Sequence, residues 1–426
     1  MKKSKTQTTS QIQISNVAKK TLRKELYWIK GGKEELDVYQ IPIHHLYFNI
    51  ENGRYADKMV QLRQDNPGVE INPRNEIWRN EIWKMLKGEY RGTDKDKQPF
   101  ELLKQDILAR SQLHPGVVLN DGGVLDGNRR LAVLLELSST SKNPGRFEYL
   151  DAVILPGDVS SEDRWRIEAG LQIGKDEKLD YSPINRLLKI KEGMKLFQQT
   201  GDPAKEIANT LMGIKKDEVE WDIKKIDLID EYLDFIKKPL AYNLVSDKME
   251  RFEEALSILE SARKVKMSPD IVAILRLKLF TVITFGLMTN WDMRDIRVAL
   301  GAPGRGQQVR NKNERALNDL LKVKDKNKLR ESIVVYDESS PTVQEEKMRV
   351  ETFMDAMSAS KAVGEPLRLA QRAQTNLEQL KETLSNGSPA NRKEWDTKAK
   401  SLHQILQTVT ELAKKCIAAT KKIKSG

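Results

Sequence analysis

Residues 122–132 read Gly122-Gly123-Val124-Leu125-Asp126-Gly127-Asn128-Arg129-Arg130-Leu131-Ala132, and the backbone period changes inside that stretch. Val124-Leu125 follows the hairpin-like Asp121-Gly122-Gly123 and reads as a short strand, whereas Leu131, Leu134 and Leu135 recur at helical spacing from Asn128 onward. A strand that delivers the chain through Gly127 into a helix start leaves backbone N–H groups unpaired and pointing outward. Such a terminus attracts anions. Arg129 and Arg130, in the first helical turn, add planar, bidentate donors suited to phosphate. Cations are poorly placed at the positive end of a helix, so the pair calls for an external anion or an acidic neighbour. Asp126 and Glu136 are the neighbours in sequence reach, and the residues alone leave an internal salt bridge and phosphate binding both open.

Working outward, the pattern around this turn is mixed α/β. Val38, Gln40-Ile41-Pro42-Ile43 and Leu46 alternate like a short strand, with the proline at an edge or entry position, and Asn52-Gly53-Arg54 is a turn. Residues 75–90 and 99–110 read as helices, the second with Leu103, Ile107 and Leu108 on one face. Gly116 to Asn120 and Asp151 to Pro156 supply further strands. Beyond Glu162 the periodic segments are helical: 162–170, 183–199, 203–211, 216–236, 247–264, 269–289 and 292–300, with Ile333-Val334-Val335-Tyr336 as the one later strand signal. The expected class is α+β, a small mixed α/β domain followed by a large all-helical region.

The chain has 426 residues, 39% hydrophobic and 32% charged, enough for at least two packed units with a sizeable core. The start, Met1-Lys2-Lys3-Ser4-Lys5, continues into Thr, Gln and Ser rather than an apolar run, so no signal peptide is expected. The longest apolar stretch, Ile271 to Trp291, carries Arg276 and Lys278 and reads as a buried helix rather than a membrane span. A cytoplasmic protein without a membrane partner is the expectation. Cys416 is the single cysteine, and only His44 and His45 among four histidines are close in sequence, so no disulfide scaffold or Cys/His metal site is expected.

The net charge of +11 is unevenly distributed. Residues 1–33 carry +8 and residues 392–426 carry +6, which leaves −3 for the middle. Clustered Lys/Arg release counterions from phosphate backbones, so basic ends on a near-neutral body point to a polyanion partner. The alternative is a pair of charged tails that keep a large protein in solution. The first two dozen residues lack hydrophobic periodicity, and residues 1–35 are expected to form a flexible basic arm with Lys2, Lys3, Lys5, Lys19 and Lys20 as DNA contacts.

Three helical features bear on function. Pro203 to Ile214 matches the first helix and turn of a helix-turn-helix, with Ile207, Ala208 and Leu211 packing and Gly213 in the turn; Lys205, Lys215 and Lys216 are its DNA-binding candidates. The second helix carries Asp217, Glu218, Glu220 and Asp222, a poor surface for a major groove, so a pair that only packs is an equal reading. Gly301-Ala302-Pro303-Gly304-Arg305-Gly306 is glycine-rich but lacks the lysine and hydroxyl of a phosphate loop. The last two helices, 365–385 and 389–423, joined through Ser388 and Pro389, suggest an antiparallel hairpin with Leu402, Ile405, Leu406, Val409 and Leu412 as its stripe, usable for dimerisation or for folding back.

The run from Phe100 to Leu137, with His114-Pro115-Gly116-Val117-Val118-Leu119 and then Leu125-Asp126-Gly127-Asn128-Arg129-Arg130-Leu131-Ala132, resembles the ParB/sulfiredoxin fold of the partition ParB family. Ile41-Pro42-Ile43 and Asn52-Gly53-Arg54 resemble that family's opening strand and its Asn/Arg box. Leu171-Gln172 and Asp180 to Leu187 resemble the segments leading into its helical DNA-binding region. The resemblance covers roughly half of the chain, residues 36–240. It implies a nucleotide-binding domain over 36–160, a helical region with the helix-turn-helix over 161–240, and a C-terminal helical domain over 241–426. It also implies CTP or ATP bound with its phosphates against the turn, with Mg2+ as a companion ion. Gly127, Asn128, Arg129 and Arg130 carry over as phosphate-binding residues, with Arg54 and Gln172 beside them. Two positions depart from the family: Asn128 stands where the turn has glutamate, and Ala169-Gly170 stands where a Glu-Asn pair precedes Leu-Gln, with Glu168 one residue away. Binding is compatible with these changes, and hydrolysis is put in doubt. The sulfiredoxin cysteine is absent from the turn.

Three readings follow. The first is a ParB-like, DNA-associated protein of a prokaryotic plasmid, phage or genome-defence system with a nucleotide-dependent switch. The second is a nuclease, NTPase or phosphotransferase on this fold, with Asp126, Glu168 or Asp121 holding a metal. The third is an interaction subunit, homodimeric or bound to a partner protein, whose nucleotide site is vestigial.

Overall fold

Adjacent residues of the short central strands are buried on opposite faces, and this alternation sets which helices cover which side of the sheet. The structure is a computed structural model that describes residues 13–92, 97–173, 182–211, 214–300, 307–358, 377–378 and 402–417. Strands β1 (Lys19–Ile29), β2 (Gly32–Pro42), β3 (Tyr47–Phe48), β4 (Gly116–Val118), β5 (Gly123–Asp126) and β6 (Tyr149–Ile154) form one mixed sheet in the order β1-β2-β6-β4-β5-β3. The β4–β6 and β3–β5 pairs are parallel and the rest antiparallel. Val118, Val124 and Ala152 face helices α1 (Ala56–Asp65), α2 (Glu76–Lys87), α3 (Lys97–Arg110) and α4 (Asn128–Thr140). Their neighbours Val117, Leu125 and Val153 face the other way, toward Ile167 on α5 (Ser161–Gln172).

The expected arm over 1–35 is corrected for residues 19–35, which form β1 and the start of β2. Lys30 and Gly31 both have positive φ, 51° and 76°, in the two-residue connection that joins Ile29 to Gly32, the backbone a tight hairpin requires. Hydrophobic periodicity missed this strand because one face is left in water. Leu22, Leu26 and Trp28 are exposed beside Lys20 and Lys24, and only Tyr27 and Ile29 on the opposite face reach the core. Ion pairs bind the hairpin's outer face, Lys20 to Asp37 at 2.5 Å and Lys24 to Glu35 at 2.7 Å.

The helical part begins with α5, then α6 (Pro183–Leu196), α7 (Pro203–Thr210) and α8 (Lys216–Phe235), followed by α9 (Met249–Lys264), α10 (Pro269–Phe285), α11 (Asn290–Ala299), α12 (Gln307–Leu320) and α13 (Lys326–Val334). Serine caps start α5 and α6, through Ser160 and Ser182, and a Thr289/Asp292 capping box starts α11. The strand expected at Ile333-Val334-Val335-Tyr336 is the end of α13. Ile333 shares a buried face with Leu329 one turn earlier, while Val335 and Tyr336 are exposed. Helices α1 and α12 fall on weakly periodic sequence and were not expected. Lys278, inside the apolar α10, is buried against the Glu346 carboxylate and donates to the Lys322 carbonyl at 2.7 Å. No described helix is long and apolar enough to cross a membrane.

The chain divides into two compact units, Met1–Ala356 and Met357–Gly426. In the second, residues 402–417 are helical, with Ile405 and Leu412 exposed. The expected 365–385 helix apart from residues 377–378, and its connection through Ser388 and Pro389, lie outside the described residues, as does the Gly301–Gly306 segment.

A separate core joins α5 through α8, around Trp165, Ile190, Phe197, Ile207, Leu211 and Val219. The Trp165 indole donates to the Lys189 carbonyl at 3.1 Å and meets the Phe197 ring edge-on at 5.4 Å. Gly193 leaves the space for that ring, since a Cβ there would lie 2.5 Å from Trp165 Cζ2. Gly193→Ala should therefore destabilise the protein by about 1–3 kcal/mol, the range for overfilling a packed core. Chemical denaturation measures it, and an unchanged midpoint would contradict this packing.

Candidate functional site

Two turns meet at the carboxyl edge of β5, and each is tied by hydrogen bonds to segments distant in sequence. Gly127 enters α4 with φ 102°, a left-handed conformation that disfavours side chains. Asn128, buried behind it, donates from Nδ2 to the Val124 carbonyl at 2.7 Å and accepts at Oδ1 from the Asn49 amide at 3.0 Å. The Asn128 side chain is thus occupied by backbone. It fixes the turn and leaves only its backbone to face outward.

The Asn52-Gly53-Arg54 turn is pinned as firmly. Asn52 accepts from the Arg54 amide at 3.1 Å and donates to the Leu125 carbonyl at 3.3 Å. Asn185 on α6 donates to the Arg54 carbonyl at 2.8 Å and accepts from the Asp57 amide at 2.9 Å. The Gly53 amide donates to Glu168 Oε1 at 2.9 Å. The other oxygen of Glu168 accepts from the Lys189 ammonium at 2.7 Å, both side chains being fully enclosed, and Lys189 reaches Glu192 at 3.1 Å. Burial alone would lower the Lys189 ammonium, but Glu168 and Glu192 outweigh it and hold the ammonium above its ordinary value. Burial in turn raises the Glu192 carboxyl, against the pull of Lys189.

Glu168, a candidate for catalysis or metal binding, is therefore a buried strut between the sheet, α5 and α6. Asp121, the other metal candidate, accepts from the Tyr47 hydroxyl at 2.5 Å and from the Gly123 amide at 3.1 Å. Burial and this partner push the Tyr47 hydroxyl up to about 12. Among the described residues, no group of three or more His, Cys, Asp or Glu side chains could hold a metal ion.

The remaining candidates converge. Arg54, Asp126, Gly127, Arg129, Arg130 and Gln172 line one cavity of about 260 Å³, together with Asn52, Asn128, His114, Pro99 and Leu103. Gln172, 3% exposed, donates from Nε2 to Asp126 Oδ1 at 3.2 Å, and its Oε1 has no hydrogen-bond partner among the described residues. Arg130 Nη1 is likewise shut off from solvent without a hydrogen-bond partner among the described residues. Burial pushes the Arg130 guanidinium below its ordinary value, against the raising influence of Asp126, Asp151 and Tyr27. Glu136, a possible internal partner for the arginines, is instead taken by Lys104 and Lys87. His114, Asn52 and the α3 residues Pro99 and Leu103 were not singled out as site residues; their place in the cavity comes from packing across long sequence separations.

The DNA-binding candidates are dispersed. Lys2, Lys3 and Lys5 lie outside the described residues; Lys19 and Lys20 belong to β1. α7 and α8 form a helical pair, with Lys205 and Lys215 exposed and Lys216 paired with Asp202 at 2.7 Å. Of the acids on α8, Asp222 turns inward to Arg186 at 3.0 Å and Lys225 at 3.1 Å, whereas Asp217, Glu218 and Glu220 stay exposed.

Compared with protein-family models, curated proteins and solved structures, the chain finds no match.

Removing one partner from a buried ion pair leaves an uncompensated charge, at a cost of about 3–5 kcal/mol. Glu168→Ala should show that loss in a denaturation curve, and Glu168→Leu combined with Lys189→Met should recover much of it. A single variant of wild-type stability would contradict the role given to this pair.

Proposed function

We propose that this protein binds a nucleoside triphosphate, CTP or ATP, with its phosphates against Gly127, Arg129 and Arg130 at the start of α4 and Arg54 opposite. The carrying observation is one cavity that gathers these residues and holds a buried donor, Arg130 Nη1, without a hydrogen-bond partner among the described residues. A desolvated guanidinium beside open backbone amides is stabilised by a bound anion, and phosphate matches its planar donors. The likeness of the turn to the ParB family's phosphate-binding turn supports the same reading. Mg2+ would arrive with the triphosphate oxygens, since it is commonly held by substrate phosphates and water with few protein ligands.

Binding without rapid hydrolysis is the favoured form of the proposal. Glu168 and Asp121 are committed to structural partners, and Asp126 is held by Gln172. The proposed polyanion partner is DNA, engaged through the basic residues at the amino terminus and the exposed lysines of the α7–α8 pair. Nucleotide occupancy would alter how the sheet region and this helical pair present those contacts.

Charge-assisted hydrogen bonds contribute about 1.5–3 kcal/mol each, so Arg129→Ala with Arg130→Ala should weaken triphosphate binding at least about 100-fold. A calorimetric titration reads this, and equal affinity in the double variant would remove the proposal. For DNA, Lys205→Ala with Lys215→Ala should reduce the slope of log affinity against log salt by about 1.8, two phosphate contacts' worth. An unchanged slope would take α7–α8 out of the interface.

A further inference from the structure

β1 ends the sheet on one side, and among the described residues no further strand pairs with its free edge. It runs for 11 residues, about twice the usual strand length. The pairing register fixes which of its backbone groups face outward. Ile29 opposes Gly32 across a two-residue turn, and residues that close such a hairpin exchange hydrogen bonds, as do Tyr27 with Glu34 and Glu25 with Leu36 at every second position. Lys24, Leu26 and Trp28 take the alternate positions, so their N–H and C=O groups point away from β2. Such an unpaired row is a template for another strand. Lysines and bulges often guard an edge, and here the irregularity falls between Lys20 and Lys24. The stretch beyond it is regular, with Leu26 60% and Trp28 54% exposed.

A cavity of about 580 Å³ lies beside this regular stretch. Glu25, Leu26, Tyr27 and Trp28 all line it, and their side chains alternate between the two faces of the sheet, so what they share on the cavity side is the strand's edge. The other walls are helical, with Ile167, Gly170 and Leu171 from α5 and Asn209 and Thr210 from α7. Room between a strand edge and helices suits one extended segment better than a second copy of this chain, whose β2 would have to follow its β1 into the space. The charge around the cavity is unbalanced. Four carboxylates, of Glu25, Asp151, Asp163 and Glu206, share two guanidiniums, of Arg23 and Arg166, an excess of two negative charges.

We propose that this groove takes an extended peptide segment of a partner protein as an added strand on β1, a segment with alternating apolar residues and with lysine or arginine among them. Its backbone bonds to the outward groups of Lys24, Leu26 and Trp28, which supplies affinity, and its side chains supply selectivity. Apolar side chains meet Ile167 and Leu171 on one face of the added strand and Leu26 and Trp28 on the other. A cationic side chain meets the surplus carboxylates at Glu25 and Glu206, and the exposed Asn209 amide stands ready for the segment's far edge. The assignment is independent of the nucleotide reading.

The probe is a displayed library of random decapeptides selected on the full chain. Enriched peptides should carry Lys or Arg among alternating apolar residues and bind the wild type at least about tenfold tighter than Leu26→Pro. Proline there removes an outward N–H and leaves the ladder to β2 in place, whereas Leu26→Val keeps the donor and should retain binding. Gly170→Val narrows the groove from α5, where a Cβ would sit 3.7 Å from the Thr210 carbonyl, and serves if the proline variant does not fold. Amide hydrogen exchange locates the contact: Lys24, Leu26 and Trp28 should exchange fast in the free chain and slowly with peptide, and Glu25 and Tyr27 slowly in both. The proposal is overturned if no peptide is enriched, if the variants bind as tightly as the wild type, or if the three outward amides stay unprotected. Protection of those amides that rises with protein concentration without peptide, alongside a sedimenting dimer, would assign the edge to a second copy and overturn it equally.

Discussion

The buried carboxylate of Glu168 is the interaction on which the arrangement of this molecule depends. One oxygen takes the Gly53 amide from a turn beside the sheet, and the other takes the Lys189 ammonium from α6. A single charged side chain on α5 thereby ties the sheet region to the helical region. A buried ion pair is a weak source of net stability, because two desolvated charges return little more than their cost. Its strength is in direction: each oxygen has one partner, and rotating either helix would strand a charge. Asn52, Asn128 and Asn185 work in the same way with neutral groups, spending their amides on backbone of distant turns.

That scaffold explains why the candidate site looks underfilled. Around it, the polar side chains at the backs of the turns are satisfied within the protein. In the cavity the balance reverses, with Arg130 Nη1 and Gln172 Oε1 buried and without hydrogen-bond partners among the described residues. Buried polar atoms are rarely left so in a folded chain, and the cost of each is about 1–3 kcal/mol unless a ligand or water supplies the missing bond. The unpaired Arg130 donor is the feature on which the proposal of an anionic ligand rests.

Much of this was legible from residue pattern. The strand, Gly127 and helix start of the 124–135 segment, the α5–α11 helices and the α+β class follow from local period and turn chemistry, which is short-range information. What local pattern hid was hidden for identifiable reasons. β1 is a solvent-facing edge strand, so lysines alternate with exposed Leu22, Leu26 and Trp28 and the apolar signal cancels. Ile333 to Tyr336 looked β-branched and apolar, yet burial of Ile333 against the core of α13 decided for helix. Asn128 and Glu168 looked like ligand or catalytic groups because both stand beside the turn motifs. Their actual partners, Asn49 and Lys189, are visible only once the chain has folded.

Thermal unfolding of the full chain with CTP, ATP, GTP and UTP, with Mg2+ and with and without DNA, tests whether the cavity at Gly127–Arg130 takes a nucleoside triphosphate. A ligand that binds only the folded state at 100 times its dissociation constant adds about 2.7 kcal/mol, a shift of several degrees. At least one triphosphate should raise the unfolding temperature in a concentration-dependent way. Identical unfolding curves for all four at millimolar concentration would contradict it.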